Sequence, residues 1–290
     1  MDIKSLQCSI NEREFMLFRD YIAQESGIVI APEKAYLIET RLSKLMLDAG
    51  AESFGEYYDY IVSNKDPGVS EKIINAITVN ETMWFRDAAL WKVLEEEILP
   101  NLVEDLVTGR KIRARIWCAA VSTGQEVYSA AMCVDEYLSK KKINGISLAN
   151  FDFFATDISG RVLDIAKNGR YDKISMVRGI NEYYKTKYFT STGSVWEIDP
   201  KIKNAVKFER FNLQKSYGRF GQFDVIFCRY VLIYFSNELK QEIIRKMRGA
   251  LTDNGVFFTG NYVFYDLFKD GFESKYYDNI TYYLKKRGIQ

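Results

Sequence analysis

The stretch IWCAAVSTGQEVYSAAM, residues 116–132, opens as a buried strand, closes as a helix and carries only small residues between the two. Ala119, Ala120, Ser122 and Gly124 follow directly on the strand end, so a ligand can come close to the main chain there. In open α/β sheets, ligands bind at that carboxyl edge. The turn has one glycine, Gly124, where a dinucleotide-binding G-x-G-x-x-G turn has three. Glu126 opens the following helix, and an acid there suits a cation better than a pyrophosphate, which needs bare N–H groups. The plainer alternative is a tight strand-to-helix turn whose carboxylate sits on the positive end of the helix dipole.

Outward from this stretch, apolar strands alternate with helices through most of the chain after residue 110: KIRARIWCA, FDFFATD, VKFERFNL, FDVIFCRYVLIYF, GVFFTGN and ITYYLKK supply the strands. That alternation predicts a largely parallel, doubly wound sheet. Residues 174–206 are too polar and irregular for it and read as an insertion, with a small hairpin around TSTGSVWEI. The first 80 or so residues are helical in texture. NEREFMLFRDYIAQESG runs from the capping residue Asn11 to Gly27, and PEKAYLIETRLSKLMLDAG from Pro32 to Gly50 with Leu37, Ile38, Leu42, Leu45 and Ala49 at helical spacing. Two shorter helices flank Pro67-Gly68, and a further one, DAALWKVLEEEILPNLVEDL, leads into the α/β body. The expected organisation is an all-α domain over 1–86 and an α/β domain over 87–290.

The 290-residue chain is 47% hydrophobic and 27% charged, with a net charge of +1. It has no apolar run of membrane-spanning length and no basic block suited to nucleic acid, and its first residues lack a signal-peptide layout, so a cytoplasmic location is expected. The four cysteines, Cys8, Cys118, Cys133 and Cys228, lack metal-ligand spacing, and no metal site is expected; Cys118 and Cys228 read as buried thiols. There is no histidine, which excludes Ser-His-Asp and Cys-His hydrolysis, histidine general-base catalysis and the usual zinc sites. The second strand ends in Asp157, the position from which Rossmann-like folds hold ribose hydroxyls, though an aspartate there also caps the next helix. Two acids beside a small-residue turn point to an adenosine ligand carrying positive charge, and S-adenosylmethionine has that chemistry.

Four blocks in order, NETMWFRD (80–87), WCAAVSTGQEVYS (117–129), FFATDISGRVLDIAKNGRY (153–171) and FDVIFCRYVLIYF (223–235), resemble the CheR-type chemotaxis receptor methyltransferases over nearly the whole chain. The resemblance implies a Rossmann-like S-adenosylmethionine-dependent methyltransferase domain with a small β-subdomain insert, preceded by a small all-α domain. It implies methyl transfer to glutamate side chains on the cytoplasmic helices of chemoreceptors, with S-adenosylhomocysteine as product, by a monomer. Residue by residue, Asn80, Thr82 and Arg86 resemble pocket-lining positions, Glu126 the acid at the methionine end, Asp157 the ribose acid, and Asn212-Leu213 the pair flanking adenine. Arg229 and Tyr230 match the mouth of the fourth strand, and Tyr234 an aromatic beside the methyl; Arg229 and Tyr234 are the expected catalytic pair. Arg86 has a local alternative, a surface pair with Asp87 or Glu81. Lys34, Arg41 and Lys44 flank the apolar stripe of the second helix and are expected to meet glutamate-rich receptor helices. The chain departs from the family at Tyr230, where asparagine is usual and where the backbone is expected to matter more than the side chain. It departs again at Asn261 and Tyr262. These departures leave open a CheR-like binding module without turnover, and a methyltransferase for small molecules or nucleic acid is a third reading.

Overall fold

The computed structural model describes residues 9–260, 265–269 and 271–288. The chain forms two compact units, one of Met1–Val79 with Tyr234–Leu239, the other of Asn80–Ile233 with Lys240–Gln290.

The first unit holds α1 (Glu12–Ser26), α2 (Tyr36–Asp48), α3 (Phe54–Asn64) and α4 (Pro67–Ile77). Asn11 caps α1 in a reciprocal capping box with Glu14, and Gly27 ends it at φ 79°. Ser53 and Asp66 cap α3 and α4, and Pro67 occupies the first turn of α4, where its missing N–H costs nothing. The segment from Pro32 begins with a 3-10 turn, Pro32–Lys34, so the α-helix starts only at Tyr36. The helices close over Phe18, Ile38, Leu42, Met46, Phe54, Tyr57 and Ile73. Phe235 joins this unit through a bridge to Ile28.

The second unit has strands β1 (Ala114–Ala119), β2 (Phe151–Asp157), β3 (Arg170–Asp172), β4 (Phe189–Ser191), β5 (Val195–Ile198), β6 (Val206–Arg210), β7 (Phe223–Phe227), β8 (Leu251–Phe258), β9 (Phe272–Tyr277) and β10 (Ile280–Lys285). The main sheet runs β6-β2-β1-β7-β8-β10-β9, parallel from β6 to β8 and antiparallel at β10 and β9. β1 and β2 pair from Ala114 opposite Phe151 to Ala119 opposite Thr156, so both strands end at one edge. Reversal of strand order about β1 creates the crevice at that edge. The insert is a separate antiparallel sheet, β3-β5-β4. It begins at Arg170, and Val206 already belongs to the main sheet, so the expected span of 174–206 is shifted toward the chain start at both ends.

Helices α5 (Ala88–Val93), α6 (Leu99–Val107), α7 (Gln125–Lys141), α8 (Gly160–Asn168), α9 (Lys173–Val177), α10 (Glu182–Tyr188), α11 (Pro200–Asn204), α12 (Asn237–Ala250) and the short α13 (Tyr265–Phe268) complete the described α-helices. The single helix expected from DAALWKVLEEEILPNLVEDL breaks into α5, a π turn over Leu94–Ile98, and α6. Pro100 is the cause, because it donates no hydrogen bond and its ring crowds the carbonyl four residues back. α7 is buried at nearly every position from Gln125 to Leu138, including Cys133. Cys118 and Cys228 are likewise buried free thiols; Cys8 lies outside the described residues. Among the described residues, no helix is long and apolar enough to cross a membrane.

The compact units divide at Val79 and Asn80, ahead of the expected boundary at 86. Trp84 explains the placement of that segment. It is fully buried, its indole N–H donates to the Ser175 carbonyl (3.1 Å), and it meets Tyr171 and Phe189 edge-on at 4.8 and 5.1 Å.

Candidate active site at the carboxyl edge of the sheet

The turn after β1 is held in an uncommon conformation. Ala120 and Ser122 have φ of 58° and 53°, and Gly124 has φ 94°. A Cβ on Gly124 would sit 2.9 Å from Cβ of Ala166, so only glycine fits both the backbone angle and the approach of α8. Asp157 clasps this turn. Its carboxylate accepts from the Ser122 N–H (2.8 Å) and the Ser159 N–H (2.9 Å), while the Ser122 hydroxyl donates to the Asn80 carbonyl (2.9 Å). Burial raises the Asp157 carboxyl above its ordinary range, with the Ser159 and Ser122 N–H groups working against the rise. The Asp157 carbonyl accepts from the Phe211 N–H (2.8 Å), which brings Asn212 and Leu213 to the same edge. The Asn212 side chain folds onto the Gln214 N–H (2.9 Å), and the buried Leu213 offers its carbonyl to the Tyr217 hydroxyl (2.9 Å).

Beside the turn lies a buried charge network. Arg229, two residues past the end of β7, has a side chain only 2% exposed. It donates from Nη1 to Glu126 Oε2 (2.8 Å), and from Nη2 to Asp87 Oδ2 (2.5 Å) and the Arg86 carbonyl (2.9 Å). Its Nε is buried without a hydrogen-bond partner. Glu126 is pushed up by burial, and Arg229 opposes the rise. Burial also drives the Cys118 thiol well up, with the Glu126 charge adding to the effect. Asp87 is the residue that sequence reasoning missed as a site member; the only local signal was an acid directly after Arg86. Besides Arg229 it accepts from the Tyr230 hydroxyl (2.5 Å).

Glu81 pairs with Arg178 (2.6 Å), so neither local acid takes Arg86. The Arg86 guanidinium instead lies over the Tyr230 ring, 3.5 Å from its centroid, and makes no ion pair or hydrogen bond among the described residues. Thr82 is half-buried on the same segment. Backbone strain concentrates here: Phe85, Asp87, Ala120, Ser122 and Tyr230 are five of the nine described non-glycine residues with positive φ. Such angles persist only where surrounding structure over-determines them, and they gather at functional sites.

The structure thus brings together Asn80, Arg86, Glu126, Asp157, Arg229 and Tyr230 around one turn. The Tyr230 side chain is engaged by Asp87 and Arg86, in contrast to the expectation that this position serves mainly through its backbone. Tyr234 belongs to the first unit, where its carbonyl accepts from the Val29 N–H (2.9 Å). Of the basic trio on that unit, Lys34 is exposed and Lys44 pairs with Asp48 (2.8 Å). Arg41 is half-buried and donates to the Ile77 carbonyl (2.5 Å), closing the end of α4. Asn261 and Tyr262 lie outside the described residues.

The donor set fits S-adenosylmethionine: Glu126 and Asp157 offer acceptors for an ammonium and for ribose hydroxyls, and Arg86 offers donors for a carboxylate. Residues 80–266 match the family model for the CheR methyltransferase SAM binding domain, and residues 13–78 that for the CheR methyltransferase all-alpha domain. The chain is 41% identical over 248 residues to chemotaxis protein methyltransferase 1 of Pseudomonas aeruginosa, covering 85% of this chain and 88% of that one. It is 36% identical over 253 residues to chemotaxis protein methyltransferase Cher2 of Pseudomonas putida, covering 87% and 90%. A chemotaxis protein methyltransferase of Vibrio anguillarum is also 36% identical over 253 residues, covering 87% and 89%.

Proposed function

The chain belongs to the CheR methyltransferase family, and from that premise we propose that it methylates glutamate side chains on the cytoplasmic helices of chemoreceptors, forming methyl esters. The observation that carries the proposal is the pairing of a strained, small-residue turn with half-buried Glu126 and buried Asp157 beside an Arg86 that meets no carboxylate among the described residues. When bound, S-adenosylmethionine supplies an electrophilic methyl carbon whose transfer to a carboxylate oxygen leaves a neutral thioether.

Asp157 and Glu126 hold the ribose and the amine, Asn80, Thr82, Arg86, Asn212 and Leu213 line the pocket, and Arg229 and Tyr230 support it from behind Glu126 and Arg86. A glutamate carboxylate has an ordinary pKa of about 4.3, so it arrives already ionised at neutral pH. No side chain has to remove a proton, which agrees with a chain that lacks histidine. What the residues must do is orient two reactants and strip water from the attacking oxygen. Arg229 takes part by fixing Glu126, while Tyr234 is assigned to the reacting groups by the family resemblance. Lys34 and Lys44 steer the acidic helices, with Arg41 between them.

The test is incubation with radiolabelled S-adenosylmethionine and a chemoreceptor cytoplasmic fragment, followed by measurement of base-labile label. Label in the fragment is expected, and Tyr234→Phe should lower turnover with S-adenosylhomocysteine affinity nearly unchanged. Cofactor binding without any label in receptor fragments would overturn the substrate assignment.

A further inference from the structure

Position 230 is costly for a tyrosine. Its φ of 59° lies in the left-handed region, which asparagine tolerates far better than an aromatic residue does. Three features nevertheless secure the ring. Its hydroxyl donates to Asp87, its face carries the Arg86 guanidinium at 3.5 Å, and Gly260 leaves it room, since a Cβ there would sit 3.0 Å from the ring carbons. Arg86 therefore has one face packed on an aromatic surface and its N–H groups disengaged among the described residues. A guanidinium held against a ring in this way surrenders less freedom when its planar fork of donors meets a carboxylate.

We propose that Tyr230 is a positioning residue, whose ring fixes Arg86 as a receiver for a carboxylate without itself touching the bound molecule. The inference rests on the cofactor-binding reading above. The shared chemistry is a carboxylate, either that of the cofactor's amino-acid tail or that of the substrate glutamate, and the experiment separates them.

Calorimetry would measure S-adenosylhomocysteine and methylthioadenosine, which lacks the amino-acid tail, against wild type, Arg86→Ala, Tyr230→Leu, Tyr230→Phe and the Arg86→Ala/Tyr230→Leu double variant. Steady-state rates would give KM for a receptor fragment. Tyr230→Leu should lose about 5- to 30-fold, as expected for a partly desolvated cation–π contact, in the same quantity that Arg86→Ala affects. A loss in S-adenosylhomocysteine affinity marks the cofactor carboxylate, and a loss in KM alone marks the substrate. Methylthioadenosine binding should not move, Tyr230→Phe should stay within about twofold of wild type because the ring remains, and the double variant should be no worse than Arg86→Ala. Additive losses, a parallel fall in methylthioadenosine binding, an unaffected Tyr230→Leu, or a Tyr230→Phe as impaired as Tyr230→Leu would each overturn the proposal. A wild type that binds no S-adenosylhomocysteine would instead overturn the cofactor-binding reading beneath it.

Discussion

Replacing Asp87 by asparagine separates the charge of this residue from its backbone role. Asp87 sits at φ 61°, an angle asparagine accepts, so Asp87→Asn adds little strain where Asp87→Ala would add more. The carboxylate it removes accepts from Arg229 and from the Tyr230 hydroxyl, both at 2.5 Å, with side chains 14% exposed at Asp87 and 2% at Arg229. Removing one partner of a fully buried pair costs about 3–5 kcal/mol when the remaining charge is left uncompensated. Here Glu126 still faces Arg229 at 2.8 Å, and the amide oxygen of asparagine can keep one weakened bond. The expected loss is therefore about 2–3 kcal/mol, close to one charge-assisted hydrogen bond. Urea unfolding at neutral pH, read by far-UV circular dichroism and fitted for the whole chain, measures it as a lower midpoint at unchanged slope. A variant within about 0.5 kcal/mol of wild type would refute the claim that this carboxylate holds Arg229.

Three further outcomes follow from other contacts. Gly124→Ala should destabilise by about 2–4 kcal/mol, because the new Cβ meets Ala166 at 2.9 Å on a backbone angle disfavoured for alanine; thermal unfolding checks this. Glu136 is buried and drawn below its ordinary range, since donation from Lys187, Tyr188 and Tyr183 outweighs burial, so it stabilises the fold above the usual glutamate pKa and that contribution is lost as pH falls through the lowered value. Glu136→Gln should lower stability at pH 7 and flatten the acid limb of a stability–pH curve, and an unchanged limb would exclude this carboxylate as its source. On the helical unit, Arg41→Ala should cost about 1 kcal/mol by freeing the Ile77 carbonyl, while Lys44→Glu should leave stability within about 0.5 kcal/mol and depress receptor methylation. Equal stability losses from both would show that Arg41 has no special place in closing α4.

Local rules made much of this chain legible from its residues. Asn11 and Gly27 set the ends of α1 because caps act over a few residues, whereas Pro67-Gly68, expected as a turn between helices, lies in the first turn of α4; the alternation of apolar strands with helices carried the parallel sheet. The four ordered blocks carried the family, and Glu126, Asp157 and Arg229 stood out as candidates within them. The edge strand β9 escaped notice because FESKYY is largely polar and pairs only with β10, so little burial patterned its residues.

At the site, charge pairing was decided by tertiary structure. Sequence neighbours suggested Asp87 or Glu81 for Arg86, yet Asp87 turns to Arg229, 142 residues away, and Glu81 to Arg178, 97 residues away. The reason lies in backbone angles that no local pattern encodes: positive φ at Phe85 and Asp87 flanks Arg86, and positive φ at Tyr230 follows Arg229. Short-range periodicity determines which faces are buried; which acid meets which base is settled only when distant strand ends converge on one edge of a sheet.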